Sequence, residues 1–505
     1  MGEALGALPR QDGQPGLYLS MSITIWSRVV PYLLFRTCLL GLMTAPLLLG
    51  SQPLKAAEEI AELPEELLET ARQLKHSALE SDLAWDLTDG LLTEVGPRFA
   101  GTAGDRAAVS WALTRMRELG FENIQTEAVP VPRWVRGEIS AAITAPYPQD
   151  LVAVALGGSI GTSDEGIEAP VRQVHDVEAL RSLSRSQVEG HIVFFSQRME
   201  RTRDISGYSD AVGNRRSGPA VASEMGAVAA VIRSIGTSDE RVAHTGGTRF
   251  PDDVKRIPAA ALSNPDADLL ERQIATGRPV TMKLRLTSRM LEPTESANVI
   301  GEIPGSDPDA GVVLLGAHLD SWDITPGAHD AAACVAIVMS TAHMISRLDA
   351  QPKRTLRVVL FANEEFGLSG ARTYAENRRD RLDEHYVGIG ADLGASAVWR
   401  FDTVINEDAM PVARALHRLI EPLGVEMGTN EGFGIPDFVP LRAAGMPVLD
   451  PLQDAAPLFD IHHTINDTLA KVDPEQLRQN VAVYAALTWM AANMDVELWP
   501  TPDDD

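Results

Sequence analysis

Downstream of about residue 298, apolar residues fall into short solid runs separated by longer amphipathic stretches. Val312–Leu315, Leu356–Phe361 and Val387–Ile389 are runs of strand length, while Cys334–Ile345, Ser369–Asn377, Pro411–Leu423 and Pro474–Met494 carry helical spacing. Strands that are apolar throughout, rather than alternating, are buried on both faces. Their alternation with helices predicts a largely parallel sheet covered on both sides. Upstream, residues 58–95 are rich in Leu, Glu and Ala with helical spacing, and Ala107–Leu119 reads as an amphipathic helix ended by Gly120. Between these parts the pattern changes. Residues 136–290 hold short runs such as Ile192–Phe195 and Ala227–Ile232, separated by Gly- and Ser-rich loops. The predicted fold class is α/β: a mixed, mostly parallel sheet sandwiched by helices, with a β-rich insert. Residues 57–135 form the first part of the main domain, 136–290 the insert, and 291–505 the remainder of the main domain.

The first 56 residues stand outside this scheme. Arg28 and Arg36 precede an apolar stretch, Leu39 to Leu49, which is followed by Gly50-Ser51 and the small residues Ala56 and Ala57. A basic segment, a short apolar core and a small-residue cleavage site read as a secretory signal, which places the mature chain outside the cell or in the periplasm. The apolar core is short for a membrane span, so no stable span is expected after cleavage; a retained anchor is the alternative reading. Cys38 lies in this segment and Cys334 in the body, so the mature chain has no internal disulfide. The formal charge of −26 and the lack of Lys/Arg clusters argue against nucleic acid as a partner.

The polar residues that interrupt the apolar pattern lie at strand ends, where open α/β sheets bind ligands. His318 and Asp320 follow the first solid run, with Asp320 placed to orient the His318 imidazole. His329-Asp330 opens the next helix. Glu364-Glu365 follows the second run and Asp392 the third. His462-His463 comes far downstream. Alone, His-x-Asp reads as a surface pair, and the bland reading of Glu364 is a solvated loop carboxylate. Together, these imidazole and carboxyl groups at one sheet edge point to a metal site, because adjacent buried glutamates are costly unless paired or metal-bound.

The series resembles the zinc-dependent aminopeptidases that include bacterial leucyl aminopeptidases and glutamate carboxypeptidases. It is most similar to the carboxypeptidase Q branch. The segments that carry the likeness are Val131–Glu138, His318–Asp323, Pro352–Arg357 and His462-His463. The resemblance implies two Zn²⁺ per subunit: His318 and Asp392 on one, Glu365 and His463 on the other, and Asp330 bridging both. It makes Glu364 the general base and leaves His462 as either an oxyanion donor or a structural residue. It likens the insert to a protease-associated domain, of a kind that covers active sites or contributes to homodimers, and places Gly432–Asp437 beside the pocket. Ala331-Ala332-Ala333 and Ala391 depart from the family's polar residues without touching a ligand position, and His329 is expected to be a bystander.

The function implied is a zinc exopeptidase acting on dipeptides or short peptides. An aminopeptidase on longer peptides, an aminoacyl amidase or cyclase, and a non-catalytic receptor are the alternatives on the same fold.

Overall fold

A computed structural model describes residues 59–499; the signal read in residues 1–56 lies outside the described residues. The main sheet has eight strands in the order Glu122–Val135, Arg289–Ile303, Thr355–Phe361, Val312–His318, His385–Gly390, Val448–Gln453, Val398–Val404 and Glu426–Met427. Its centre is parallel: Val312–His318 pairs in parallel with both Thr355–Phe361 and His385–Gly390, which in turn pairs with Val448–Gln453. The register sets His318 beside Phe361 and Gly316 beside Gly390, so the first two strands end level and His385–Gly390 stops two residues short of them.

The apolar runs become these central strands because both faces of each are covered. One face packs against the helices Glu65–Leu79, Leu83–Glu94, Ala333–Ser346 and Pro474–Asn493, whose core includes Val313, Leu315, Ile337 and Tyr484. The other face packs through Leu314, Val359 and Phe361 against Tyr374, Phe438 and Leu441. The segment Ala328–Ser346 is apolar enough for a membrane span, but its apolarity serves burial in this core. The helical stretch expected over 58–95 is divided at Ser81-Asp82. The two long strands Glu122–Val135 and Arg289–Ile303 were not legible as strands, because Pro130, Pro132 and Pro293 interrupt their pattern. A proline-bearing segment is tolerated at a sheet edge, where Glu122–Val135 sits.

A second eight-stranded sheet takes its strands from residues 139–286. Ile167–Val174, Ile192–Phe195, Ala229–Arg233 and Ala259–Leu262 run parallel within it, with short helices between them. The two sheets meet at an aromatic cluster. Trp322, from the loop after Val312–His318, stacks on Phe99 at 4.9 Å between ring centroids and meets Trp134 edge-on at 6.5 Å. All three rings belong to the second sheet's core, with Phe194 and Leu286. Arg136 Nε beside them donates to both oxygens of Asp323, at 3.1 and 3.0 Å. Two separate sequence segments, Val131–Glu138 and His318–Asp323, are therefore one contact in space.

This junction carries a stability prediction. Trp322→Ala would leave a large void in a fully buried aromatic cluster, and the expected cost is about 3–5 kcal/mol by denaturant titration. A loss below about 1 kcal/mol would show that the cluster does not hold the sheets together.

Candidate functional site

The neighbouring ends of the parallel strands bring the predicted residues together. His318 is the last residue of its strand, Glu364 and Glu365 follow Phe361 by a tight turn, and Asp392 follows Gly390 by two residues. Asp330 lies in the turn that opens the buried helix Ala333–Ser346, and His463 closes the turn after the helix Ala455–Ile461. His318 Nε2 is 3.0 Å from Asp330 Oδ1 and 3.0 Å from Asp392 Oδ1. His463 Nε2 is 3.3 Å from Asp330 Oδ2 and 2.9 Å from Glu365 Oε2. Asp330 thus presents one oxygen to each imidazole.

The donor set fits metal. Two ligands held by a tetrahedral zinc-sized ion are about 3.3 Å apart, close to the four separations above. Glu365 Oε1 is buried with no hydrogen-bond partner, as a carboxylate oxygen awaiting a cation would be. His318, Asp330 and Asp392 form one group able to hold an ion, and Asp330, His462 and His463 another. His462 competes for the second position, but its Nε2 stands 3.7 Å from Asp330. It stacks on His463 at 3.5 Å, whereas His463 also reaches Glu365.

Asp320 does something other than expected. His318 Nδ1 is held by the backbone carbonyl of Asp320 at 3.1 Å, and the carboxylate is 3.6 Å away, beyond hydrogen-bond length. Asp320 Oδ1 instead accepts the backbone N–H of Glu364 at 3.0 Å. The side chain therefore fixes the turn that carries Glu364, and the main chain fixes the imidazole. His329 is engaged through both ring nitrogens, with the Ala395 N–H at 3.1 Å and the Lys471 carbonyl at 3.0 Å. It ties down the loop that carries Asp392.

Several positioning groups were not picked out from the sequence. Asp467 is fully buried, and its two oxygens accept the N–H groups of His329 at 2.8 Å and Asp330 at 3.1 Å. The buried Arg98 donates from Nε to the Leu319 carbonyl at 2.6 Å and from Nη2 to the Gly327 carbonyl at 3.2 Å. It braces the loop between His318 and Asp330 and lies in the field of Asp320, Asp467, Asp330 and Glu365; burial is the larger effect and lowers its pKa to about 10. The insert grips the histidine pair. Thr245 N–H donates to the His463 carbonyl at 3.0 Å, His463 Nδ1 to the Thr245 carbonyl at 3.2 Å, and His244 Nδ1 to the His462 carbonyl at 2.6 Å. Arg136 Nη1 holds the Thr245 hydroxyl at 2.9 Å. The one legible hint was the resemblance of residues 136–290 to a domain that covers active sites. Asp437, in the turn after the Gly432–Gly434 loop, is fully buried with both oxygens unpartnered.

These groups open onto a cleft of about 870 Å³ lined by Asp330, Glu364, Glu365, Asp392, His462 and His463, with Phe433, Gly434 and Pro436 on its rim. The clustering of carboxyls shifts their protonation. Burial, then the charges of Asp392, Glu365 and Asp437, pushes Glu364 well above the usual range. Burial and Asp330 push Glu365 up to about 7. Burial opposes protonation of His463, but Glu365 and Asp330 outweigh it and raise the imidazole to about 10. Burial and the neighbouring His463 hold His462 neutral.

The pH dependence of chelator-treated protein follows from these directions. Both Glu365 and His463 have folded values above their ordinary 4.5 and 6.5, so the folded state binds the extra protons. The Glu365 contribution is full below pH 4.5 and lost as pH rises through about 7; that of His463 is full below 6.5 and lost through about 10. Bound metal would supply the missing positive charge, and its affinity rises as the ligands deprotonate. The gap in Tm between metal-loaded and chelated protein should therefore widen from about pH 5 to about pH 8 by calorimetry. A gap independent of pH would contradict the arrangement.

The sequence matches the model of peptidase family M28 over residues 298–488. Carboxypeptidase Q of Mus musculus is 31% identical over 407 residues, covering 80% of this chain and 85% of that protein. Among solved structures, a peptidase M28 precursor from Shewanella amazonensis SB2B superposes with a TM-score of 0.85 at 44% identity, covering 87% of this chain and all of that one. BSAP, a zinc aminopeptidase from Bacillus subtilis, shares the fold with a TM-score of 0.59 at 19% identity, covering 82% of this chain and 95% of that one. With a likeness that spans both the strand-end cluster and the insert, this chain belongs to peptidase family M28.

Proposed function

We propose that this chain is an exported exopeptidase that cleaves dipeptides or short peptides with two zinc ions and Glu364 as the general base. As a member of peptidase family M28 it belongs among the zinc exopeptidases; the metal count, the substrate and the roles of single residues are our reading. The observation that carries the reading is the geometry of Asp330, whose two oxygens face two different imidazoles 3.0 and 3.3 Å away. His318 and Asp392 would hold one ion, Glu365 and His463 the other, with Asp330 between them. Bound there, the metals would lower the pKa of a shared water and polarise the scissile carbonyl.

The chain's own groups supply the rest. Glu364 is half-buried on the cleft wall next to the ligands, and its backbone is fixed through Asp320. It would take a proton from the attacking water and return it to the leaving amine. Cations beside it would reverse the upward push that neighbouring carboxylates exert on it, leaving it ionised for that task. His462 lines the same cleft with a neutral imidazole and would donate to the developing oxyanion. Residues 1–56, by their composition, would direct the chain out of the cytoplasm.

Hydrolysis of a dipeptide panel and of aminoacyl-nitroanilides tests this reading. Dipeptide cleavage should disappear with chelator and return with zinc. Glu364→Gln should lower kcat by about 10²–10⁴-fold while retaining its metal. Activity of Glu364→Gln within tenfold of the parent would remove the general-base role, and cleavage confined to nitroanilides would move the substrate to aminopeptidase type.

A further inference from the structure

The insert meets the main domain a second time, through residues other than the aromatic cluster of Phe99, Trp134 and Trp322. After the insert strand Ile192–Phe195, residues 199–205 cross to the helix Ala455–Ile461, which delivers His462 and His463. Met199 shares the insert's core with Ala455 and Phe459 of the main domain. The Ala455 N–H donates to the Arg203 carbonyl at 2.9 Å, and the Thr237 N–H to the Phe459 carbonyl at 2.9 Å. Arg203 Nε donates at 2.8 Å to Asp454, whose other oxygen caps the helix by accepting the Ala456 N–H at 3.1 Å. Arg201 pairs with Asp460, and Arg203 lies over the Trp399 ring at 4.3 Å. Apolar, backbone and ionic contacts thus fasten a strap between the two domains. Asp204 and Ile205 of the strap and Leu452 and Phe459 of the main domain all line the cleft, so the clasp is part of its wall.

Next to the clasp, two rings face each other. Tyr208 stacks on Phe459 with centroids 5.1 Å apart and planes at 17°. Both rings stand edge-on to His462, at 5.4 and 5.3 Å, and His462 stacks on His463 at 3.5 Å. The Tyr208 hydroxyl accepts from the buried Arg215, which holds the ring in place. Tyr208, Phe459 and His462 all line the cleft. A peptide strand needs about 4.7–4.9 Å to a neighbour on either side. Two rings already in contact leave no such gap, and the bond between Ala455 and Arg203 ties the domains together beside them. A peptide lying in the cleft is therefore blocked where Tyr208 and Phe459 meet.

Resting on the exopeptidase reading, we infer that residues 199–208 form a stop that closes the cleft beyond His462 and limits how much substrate lies on that side of the scissile bond. One imidazole, that of His462, separates the ring pair from His463. The block therefore falls close to the group proposed to hold metal, and the bond that reaches the metal lies near a chain end. The stop selects by collision: it refuses a longer chain and needs no contact with a terminal charge. The main domain then does the chemistry, and the strap from the insert decides which bond is presented to it.

The choice of bond tests this. Peptides of two, three and four different apolar residues are incubated with the zinc-loaded full chain, and the first products are identified by mass spectrometry. The middle bond of a tetrapeptide is the diagnostic one, because it lies two residues from both ends. The parent should leave it intact while cutting bonds one residue from an end. Tyr208→Ala removes the ring, and Arg201→Gln with Arg203→Gln loosens the clasp. Each should raise cutting of the middle bond by about tenfold or more relative to dipeptide cleavage. Tyr208→Phe keeps the ring and should keep the parent's pattern. Arg201 and Arg203 are exposed, so the double variant should stay folded, with Tm within about 3 °C of the parent. Ready cutting of the middle bond by the parent, or a pattern unchanged in both folded variants, would overturn the inference. Dipeptide cleavage that continues with bond choice unchanged removes the stop and leaves the peptidase standing. A parent that binds zinc and cuts no peptide removes the peptidase reading, and the stop with it.

Discussion

Buried carboxylates repel one another, and here Asp330, Glu365 and Asp392 stand around two imidazoles with contacts of 2.9–3.3 Å. Such a group stays ionised only beside positive charge, and at neutral pH that charge must be protons or metal. The rest of the molecule is organised by this constraint. Three parallel strands end within two residues of one another, so residues distant in sequence reach one point, and the helix Ala333–Ser346 is buried in the core against them. His318 is placed by the sheet itself, while Asp330, Glu365, Asp392 and His463 lie in turns and loops at its edge that buried groups hold in place.

The supports form a second ring around these carboxyl and imidazole groups, made largely of backbone contacts. Arg98 braces the loop between His318 and Asp330 through carbonyls, Asp467 holds the amides of residues 329 and 330, and Asp320 holds that of Glu364. The insert enters the same ring. Asp323 fixes Arg136, Arg136 fixes Thr245, and Thr245 accepts the Nδ1 proton of His463, which leaves Nε2 free to face the cluster. The His463 tautomer is thus set from the insert. The aromatic contact of Phe99, Trp134 and Trp322 keeps the two sheets in the register this chain of bonds needs.

The central sheet was legible because its strands are doubly buried: Val312–Leu315 is apolar throughout, and Leu356–Phe361 is broken only by Arg357. The cluster of carboxyl and imidazole groups was legible because titratable residues at the ends of such runs are out of place without a task. Glu122–Val135 was hidden by prolines that its edge position tolerates, and Arg289–Ile303 by Pro293, which falls at a register shift in its pairing with that edge strand. The role of Asp320 was half-read: spacing put it beside His318, but spacing does not tell whether a side chain or its own carbonyl makes the bond. Arg98, Thr245 and His244 were invisible for a related reason. They act across long sequence separations, mostly on backbone atoms, and a backbone partner leaves no residue type to recognise.

Crystals of the full chain measured on both sides of the zinc absorption edge test the central claim most directly. The account predicts two anomalous peaks about 3.5–4 Å apart, one beside His318 and Asp392, the other beside Glu365 and His463, with one oxygen of Asp330 on each. A single peak, or two peaks that Asp330 does not join, would contradict it.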